Sequence, residues 1–341
     1  MKTQIAGIEL YHLVKEFQEL VGGRIDKIYQ ESEYFLFQIY TGKRRVGLAI
    51  ELPTAAYLTE HKPAFDKPKG FCMFLRKRLQ KGRITAVTQL RFDRVFRIDI
   101  EVFDKNYRVW VELFGKGNLL VCDENDKIIS AYDNIVYKDR TLRGGVAYEP
   151  PNPQPDTPQL TREEFRELCE GEDVERVLAT TLGVGGEYAP LLAKEGIDDT
   201  YDALTQLLEK TTPCADTHGA YLVGDCTPHE TFSSAVASVL DPKREVEKKH
   251  DVLKTVSKQQ NKLEVRLKAQ EKQIKKMGEQ ARDDQRRGEI LYEKYQEFTQ
   301  LLAQAVKDRK ELDEKAFVKK YESLPFVVRA DTQTLVIEVP E

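Results

Sequence analysis

The chain is poor in cysteine and histidine and has no long apolar run, and each shortage removes a class of protein. No stretch of about twenty apolar residues is present, so a membrane-spanning helix is not expected. The opening MKTQIAGIEL is too polar for a secretory leader, so the chain reads as soluble and cytoplasmic. Its cysteines, Cys72, Cys122, Cys169, Cys214 and Cys226, are odd in number and scattered, which suits reduced thiols rather than a disulfide framework. With only 5 histidines, and no carboxylate pair at a convincing spacing, the sequence advertises no covalent catalysis and no cofactor.

What the chain does have is charge, unevenly placed. A formal net charge of -4 over 341 residues conceals an acidic stretch at 161–210 and a basic one at 243–287, which points to separate modules with different neighbours. The hydrophobic content of 40% is enough for real cores in two or three domains. A third region, 69–94, carries Lys69, Arg76, Lys77, Arg78, Lys81, Arg83, Arg91 and Arg94 against the single acid Asp93. Such a surface suits a polyanion, while Phe71, Phe74, Leu75 and Leu79 supply the apolar face of a helix.

Ile8, Leu10, Leu13, Val14, Phe17, Leu20 and Val21 recur at helical spacing, and Gly22 and Gly23 supply a stop. Alternating segments at 24–29, 34–40, 45–51 and 56–59 read as strands; after the basic helix they resume at 84–92, 95–103, 107–114, 118–122 and 128–132. Short turns between them imply an antiparallel meander folded as a sandwich or barrel. Segment 150–158 is a proline-rich stiff connector, followed by a small acidic helical module.

From Val246 a seam of Val246, Lys249, Leu253, Val256, Gln260, Leu263, Leu267, Gln270, Ile274, Met277 and Ala281 alternates steps of three and four until near Gly288, the pattern of a coiled-coil helix. A second helix is expected over 289–312, another over 316–321, and a strand over 334–339. The natural partner of the coil is expected downstream; in its absence the seam is expected to form a homodimer.

Leu182-Gly183-Val184-Gly185-Gly186-Glu187-Tyr188-Ala189 fits the turn of a helix-hairpin-helix. Glycines there can let backbone N–H groups converge on a phosphate, but the acidic surroundings favour scaffold packing or a protein contact. Gly115-Lys116-Gly117-Asn118 is too short for a nucleotide-gripping loop and reads as a tight turn presenting Lys116 to RNA phosphate. Cys214, His218, Cys226 and His229 have the softness and number of a closed zinc site. Their spacing matches no common knuckle, so ordinary packed or exposed residues are the default and no metal is expected. Taken alone, Asp93-Arg94 reads as an ordinary hairpin salt bridge.

The ordered set MKTQIAGIELYHLVKEF, AAYLTEHKP, PKGFCMFLRKRLQKGRI, LRFDRVFRIDI and VELFGKGNLLVCDEN resembles the N-terminal half of the NFACT family, the RqcH/NEMF type long labelled fibronectin-binding protein A homologues. The resemblance spans essentially the whole chain. It implies an α+β architecture: a β-rich formamidopyrimidine-DNA-glycosylase-like domain (1–150), a helix-hairpin-helix domain (151–240), then a coiled coil with a small middle module (241–341). The RNA-binding NFACT-R domain of the family is not matched.

The resemblance further implies ribosome-associated quality control: binding the large ribosomal subunit with a stalled peptidyl-tRNA, and recruiting tRNA for untemplated C-terminal tailing. The family's Asp-Arg pair maps onto Asp93 and Arg94, and its acidic residue in the first helix onto Glu9, where other members often carry Asp. Arg94 would fork onto a phosphate or base edge, with Asp93 accepting from a base or holding the guanidinium. Arg76, Lys77, Arg78, Lys81 and Arg83, read as lying beside that hairpin, are expected to contact RNA. Two rivals remain. A DNA-binding abasic-site lyase of the glycosylase type needs an N-terminal Pro-Glu, whereas proline is absent before Pro53. A fibronectin-binding adhesin needs export and anchoring, for which no signal is visible.

Overall fold

The computed structural model describes residues 4–338 apart from 66, 69, 152–154, 325–326 and 332–333, and the backbone alone at 247–252, 255 and 328. Lys69, part of the proline-rich connector, the side chain of Lys249 and the end of the expected last strand lie outside the described residues.

The amphipathic spacing at the start produces α1 (Gly7–Phe17), which buries Ile8, Leu10, Leu13, Val14 and Phe17. A tight 3-10 turn over Gln18–Leu20 follows, and Gly22, at φ +83°, reverses the chain. Next come β1 (Arg24–Glu31), β2 (Tyr34–Tyr40), β3 (Arg45–Glu51) and β4 (Ala55–Thr59). The basic helix α2 (Gly70–Leu79) interrupts them, and β5 (Arg83–Gln89), β6 (Val95–Val102), β7 (Lys105–Glu112), β8 (Asn118–Asp123) and β9 (Ile128–Ala131) complete the set.

All nine form one antiparallel sheet in the order β4-β3-β2-β1-β5-β6-β7-β8-β9. Its two halves are joined where β1 meets β5: Arg24 pairs with Arg83, and on either side Ile25 N–H donates to the Gly82 carbonyl and Ile84 N–H to that of Gly23, both at 2.9 Å. The halves also meet away from that seam: the Phe35 ring stands edge-on to Tyr132 at 5.2 Å, and Gly117 lies against Leu52 and Pro53. Helix α1 contacts both β4 and β5, with Phe17 5.8 Å from Phe96. The expected sandwich or barrel is therefore a single folded sheet wrapped on a helix. Beyond it, the small β10 (Ile135–Val136) and β11 (Thr141–Leu142) frame a second core in which Trp110 stacks on Tyr148 at 4.6 Å.

The acidic segment supplies α3 (Arg162–Cys169), α4 (Val174–Arg176), α5 (Ala189–Leu192) and α6 (Ile197–Glu209), then a three-stranded sheet of β12 (Cys214–Ala215), β13 (Ala220–Tyr221) and β14 (Thr227–Pro228). Phe165, Leu178, Leu204 and Leu207 share one hydrophobic core with the nine-stranded sheet. The first compact unit accordingly runs Met1–Lys249.

Helix α7 (Phe232–Glu293) begins well before the expected Val246 and passes through Pro242 and Gly288 without ending. Its early start has a polar cause: the Glu16 carboxylate accepts from the N–H groups of Phe232 (2.7 Å) and Ser233 (2.9 Å), two of the donors a helix start leaves open. Farther along, Asp241 accepts from Tyr57 and Thr59, while Arg244 lies over the Tyr34 ring and pairs with Glu51 at 2.9 Å.

The second unit, His250–Glu341, holds the rest of α7, then α8 (Tyr295–Glu311), α9 (Glu314–Glu322) and the antiparallel pair β15 (Val327–Ala330) and β16 (Leu335–Ile337). The helix expected from residue 289 thus starts later, at Tyr295. Ala305, Phe317, Tyr321, Val327 and Ala330 form a small core. Along α7 the seam residues Leu253, Val256, Leu263, Leu267, Ile274 and Met277 are all more than half exposed. Among the described residues no helix is long and apolar enough to cross a membrane.

Candidate functional site

The connection between β5 and β6 is short, and its conformation is unusual. Arg91 and Phe92, neither of them glycine, both adopt left-handed backbone angles (φ +43° and +60°), which ends β5 at Gln89 rather than at the expected residue 92. Two such residues in succession store strain that the surroundings must hold. Gln89 supplies part of the restraint: its amide donates to the carbonyls of Gly7 (2.8 Å) and Asp93 (2.9 Å), tying the loop to the start of α1.

That loop presents Asp93 and Arg94, but they do not pair side chain to side chain as the local reading had it. The Asp93 carboxylate accepts from the backbone N–H of Arg94 at 2.6 Å, and the Arg94 guanidinium donates to Gln4 Oε1 at 2.8 Å. Gln4, not Asp93, holds the guanidinium. Arginine carries five N–H donors, so this contact leaves most of the fork for a ligand.

The glycine-rich turn meets the same place. Gly183 and Gly185 take positive φ (+65° and +85°), and the Gly183 carbonyl accepts from Ile8 N–H at 3.2 Å. Contact is close enough to exclude side chains: a Cβ on Gly7 would lie 2.1 Å from the Phe92 carbonyl oxygen and 2.8 Å from that of Gly183, and one on Gly185 would lie 2.7 Å from Ala6 Cβ. Three segments distant in sequence converge, and the glycines let them.

Between them opens a pocket of about 530 Å³. Its walls are Gln4 to Gly7 and Glu9, the Phe92-Asp93-Arg94 loop, Ala179 and Thr180, and Gly183, Gly185, Gly186 and Glu187. Glu9, Asp93, Arg94 and the three hairpin glycines, separated by up to 177 positions in sequence, thus share one cavity. Helix α1 begins at its wall, and the positive end of that helix stands with Arg94 opposite the carboxylates of Glu9, Asp93 and Glu187.

Glu9 reaches the pocket but is wholly buried, and its carboxylate is occupied: one oxygen accepts from Ala6 N–H at 2.8 Å, the other from the Tyr188 hydroxyl. Burial, then the Glu9 charge, push the Tyr188 phenol well above its usual pKa, so it remains the donor. The Tyr188 oxygen in turn accepts from Leu222 N–H at 3.0 Å. Glu9 therefore supports the pocket floor.

The basic residues of α2 lie elsewhere. Asp93 and Arg94 precede β6, whereas Arg83 pairs with Glu101 near its far end, roughly 20 Å away at the strand rise of about 3.3 Å per residue. The expected adjacency of the cationic run to the Asp93-Arg94 hairpin is thereby corrected: β5 carries the chain from one end of the sheet to the other. Arg76 is committed to the Ile28 carbonyl (2.6 Å) and lies over the Tyr29 ring, and Arg83 donates to the Gly22 carbonyl at 3.2 Å. Lys77 and Lys81 are exposed and Arg78 half-buried, with no carboxylate at ion-pair distance among the described residues. Lys116, exposed between Gly115 (φ +59°) and Gly117 (φ +72°), sits at the pocket end of the sheet, where Leu113 N–H donates to Arg94 O, but does not line the pocket.

Cys214, His218, Cys226 and His229 form no metal site. Strand β12 pairs with both β13 and β14, bringing Cys214 and Cys226 to a Cα separation of 5.4 Å and joining them in a disulfide. This also corrects the expectation of reduced thiols throughout; Cys72, Cys122 and Cys169 are free and buried. His218 sits in an exposed turn, and His229 Nε2 meets Ser238 Oγ at 3.3 Å. Among the described residues no three potential ligands gather.

Sequence reasoning missed Gln4, Gly7, Gln89 and Tyr188. The one visible signal was the Ala6-Gly7 pair, with Ala6 at the N-cap of an amphipathic helix where a polar residue is the norm.

The fold and pocket define a mixed α+β protein with one large antiparallel sheet, a glycine-lined cavity at one end and a long charged helix. The chain belongs to the NFACT family: the NFACT N-terminal and middle domains match residues 6–215. It is 25% identical over 371 aligned positions to the archaeal Rqc2 homolog aRqcH of Methanocaldococcus jannaschii, covering 94% of this chain and 54% of that protein. To ribosome quality control complex subunit 2 of Saccharomyces cerevisiae it is 31% identical over 135 residues, 38% of this chain and 13% of that protein. The chain thus spans about half the length of the archaeal relative and a smaller part of the yeast one. Among solved structures, the N-terminal part of the fibronectin/fibrinogen-binding protein of Streptococcus suis superposes with a TM-score of 0.60 at 23% identity, covering 69% of this chain and 98% of that one. The fibrinogen binding protein of Staphylococcus aureus gives 0.61 at 21%, with the same coverage. These two likenesses show a shared fold.

Proposed function

We propose that this chain acts in ribosome-associated quality control, binding the large ribosomal subunit that carries a stalled peptidyl-tRNA and recruiting tRNA for untemplated C-terminal tailing. The reading rests on one observation: Asp93 and Arg94 stand in a strained loop whose pocket also gathers the start of α1 and the glycine hairpin. Arg94, held from one side by Gln4, offers its remaining donors to a phosphate or base edge, and the rigid loop fixes its direction. Relatives named for ribosome quality control support the process.

The chemistry of peptide-bond formation would belong to the ribosome, and this chain would act by positioning. The lyase alternative lacks support: no lysine is among the described residues lining the pocket. The adhesin alternative gains nothing from fold likeness alone. The exposed seam of α7 supports pairing with a second helix, a homodimer for this chain in isolation.

The test is tRNA recovery. Chain carrying Asp93→Ala and Arg94→Ala should co-sediment with large subunits as before and melt within a few degrees of the unaltered protein, yet co-purify with at least tenfold less tRNA. Equal tRNA recovery from both would remove the reading.

A further inference from the structure

The turn joining β6 to β7 is out of keeping with its sequence. Val102 pairs with Lys105, leaving Phe103 and Asp104 as a two-residue connection, and of the two only Phe103 has a positive φ, +55°. A two-residue hairpin turn with left-handed geometry at its first central position ordinarily carries glycine there. A phenylalanine pays conformational strain at that place without repayment, for the residue is 87% exposed. Strain and exposure at one residue, on a hairpin tip, point outward to a partner rather than inward to the fold.

The partner's chemistry follows from the neighbours. Arg24, Arg83 and Glu101 are laid side by side across β1, β5 and β6. Gly82 follows beside Val102, where a Cβ on Gly82 would lie 2.7 Å from Val102 Cγ2, and Lys81, turning at φ +71° to bond the Ile25 carbonyl, is one residue from that contact. Lys105 stands on the other side of the tip, and Lys77 lies in the last turn of α2, which ends at Leu79. Acids are fewer here: Glu101 and Asp104 face Arg24, Lys77, Lys81, Arg83 and Lys105. An exposed ring inside a cationic rim is the arrangement that stacks on an unpaired base while lysine and arginine hold the flanking phosphates.

We propose that Phe103, framed by Lys81, Arg83 and Lys105, is a stacking platform for an unpaired nucleobase of RNA. It forms a second contact point at the opposite end of β6 from the Asp93-Arg94 pocket. The proposal extends the ribosome-quality-control reading, since it supposes a folded RNA long enough to touch both ends of the hairpin.

The test compares Phe103→Asn and Phe103→Tyr with the unaltered chain, using a hairpin RNA with an unpaired loop and the same stem closed as a blunt duplex. Asparagine tolerates left-handed angles, so Phe103→Asn should unfold no earlier than the unaltered protein. It should bind the looped RNA about five- to a hundredfold more weakly, the range for one lost stacked base, and the duplex equally well. Phe103→Tyr should keep the loop affinity. Loop binding by Phe103→Asn equal to that of the unaltered chain would overturn the platform and leave the pocket standing. No RNA binding by the unaltered chain would overturn both. Loss of self-association in place of the RNA effect would assign the tip to a second copy and overturn the proposal.

Discussion

The Tyr188 hydroxyl donates to the buried carboxylate of Glu9, so a residue of the glycine hairpin segment closes the first turn of the first helix. Glu9 has a second duty, accepting from Ala6 N–H and so satisfying one open donor at the helix start. Both partners lose their acceptor if the carboxylate goes.

Glu9→Ala should therefore lower stability by about 2–4 kcal/mol, the cost of leaving the buried Tyr188 hydroxyl and the half-buried Ala6 N–H without their acceptor. A urea unfolding curve would show a lower midpoint with an unchanged slope. Glu9→Gln, which can still accept, should lose less and retain tRNA. A stable Glu9→Gln that no longer recovers tRNA would return Glu9 to the ligand-contacting residues.

Gly7→Ala should be worse than its size suggests. The new methyl would meet the carbonyl oxygens of Phe92 and Gly183 at 2.1 and 2.8 Å, both of them backbone atoms that cannot swing aside. Overpacking of this kind costs about 1–3 kcal/mol, and the same change at Gly186, which has open space and no left-handed angle, supplies the uncrowded comparison. Thermal unfolding of the two variants side by side decides it; equal small losses would mean the convergence of loops is loose.

His12 gives the first unit a pH dependence. Burial and then the nearby Lys15 charge lower its pKa from 6.5 to about 4, against the opposing hydrogen bond to the Leu207 carbonyl at 3.0 Å. The unfolded chain takes up this proton near pH 6.5 and the folded one only near pH 4, so the stabilising effect is complete above 6.5 and drains away as pH falls towards 4. The loss should reach about 3 kcal/mol relative to His12→Gln. Chemical unfolding at a series of pH values for both proteins measures it; parallel curves would show that His12 does not titrate on unfolding.

Glu112 and Arg140 form a two-pronged buried pair at 2.6 and 3.1 Å, joined by the Tyr148 hydroxyl at 3.0 Å. Arg140→Met should cost about 3–5 kcal/mol by stranding the carboxylate, whereas adding Glu112→Leu should recover most of it. A double-mutant cycle by urea unfolding reads the coupling, and additivity would show the pair to be independent.

Much of the first unit could be read in the sequence because local rules governed it. The helical spacing of Ile8 to Phe17 and the turn residues between alternating segments each act over a few positions. Asp93 and Arg94 were identified through resemblance, not through chemistry their own neighbours advertise. What stayed hidden was non-local. Nothing near Gln89 says that its amide will bridge Gly7 and Asp93. Cys214 and Cys226 read as thiols because the pairing of β12 with both β13 and β14 leaves almost no pattern in strands of two residues. The start of α7 was missed because Glu16, far back in the chain, supplies its cap. The basic run was misplaced for a related reason: neighbours in sequence on a strand are carried to opposite ends of a sheet.

The polar ends of α1 also carry a consequence for the order of events during synthesis. His12, Lys15 and Glu16 find their hydrogen-bond partners at Leu207, Leu208 and Phe232, separations of 195, 193 and 216 residues. The chain must emerge as far as Phe232 before all of those groups are answered, although neighbouring hairpins can zip as soon as each is made. Helix α1 is thus made well before it is locked, and a message interrupted ahead of Phe232 would leave Glu16 without the helix start it caps.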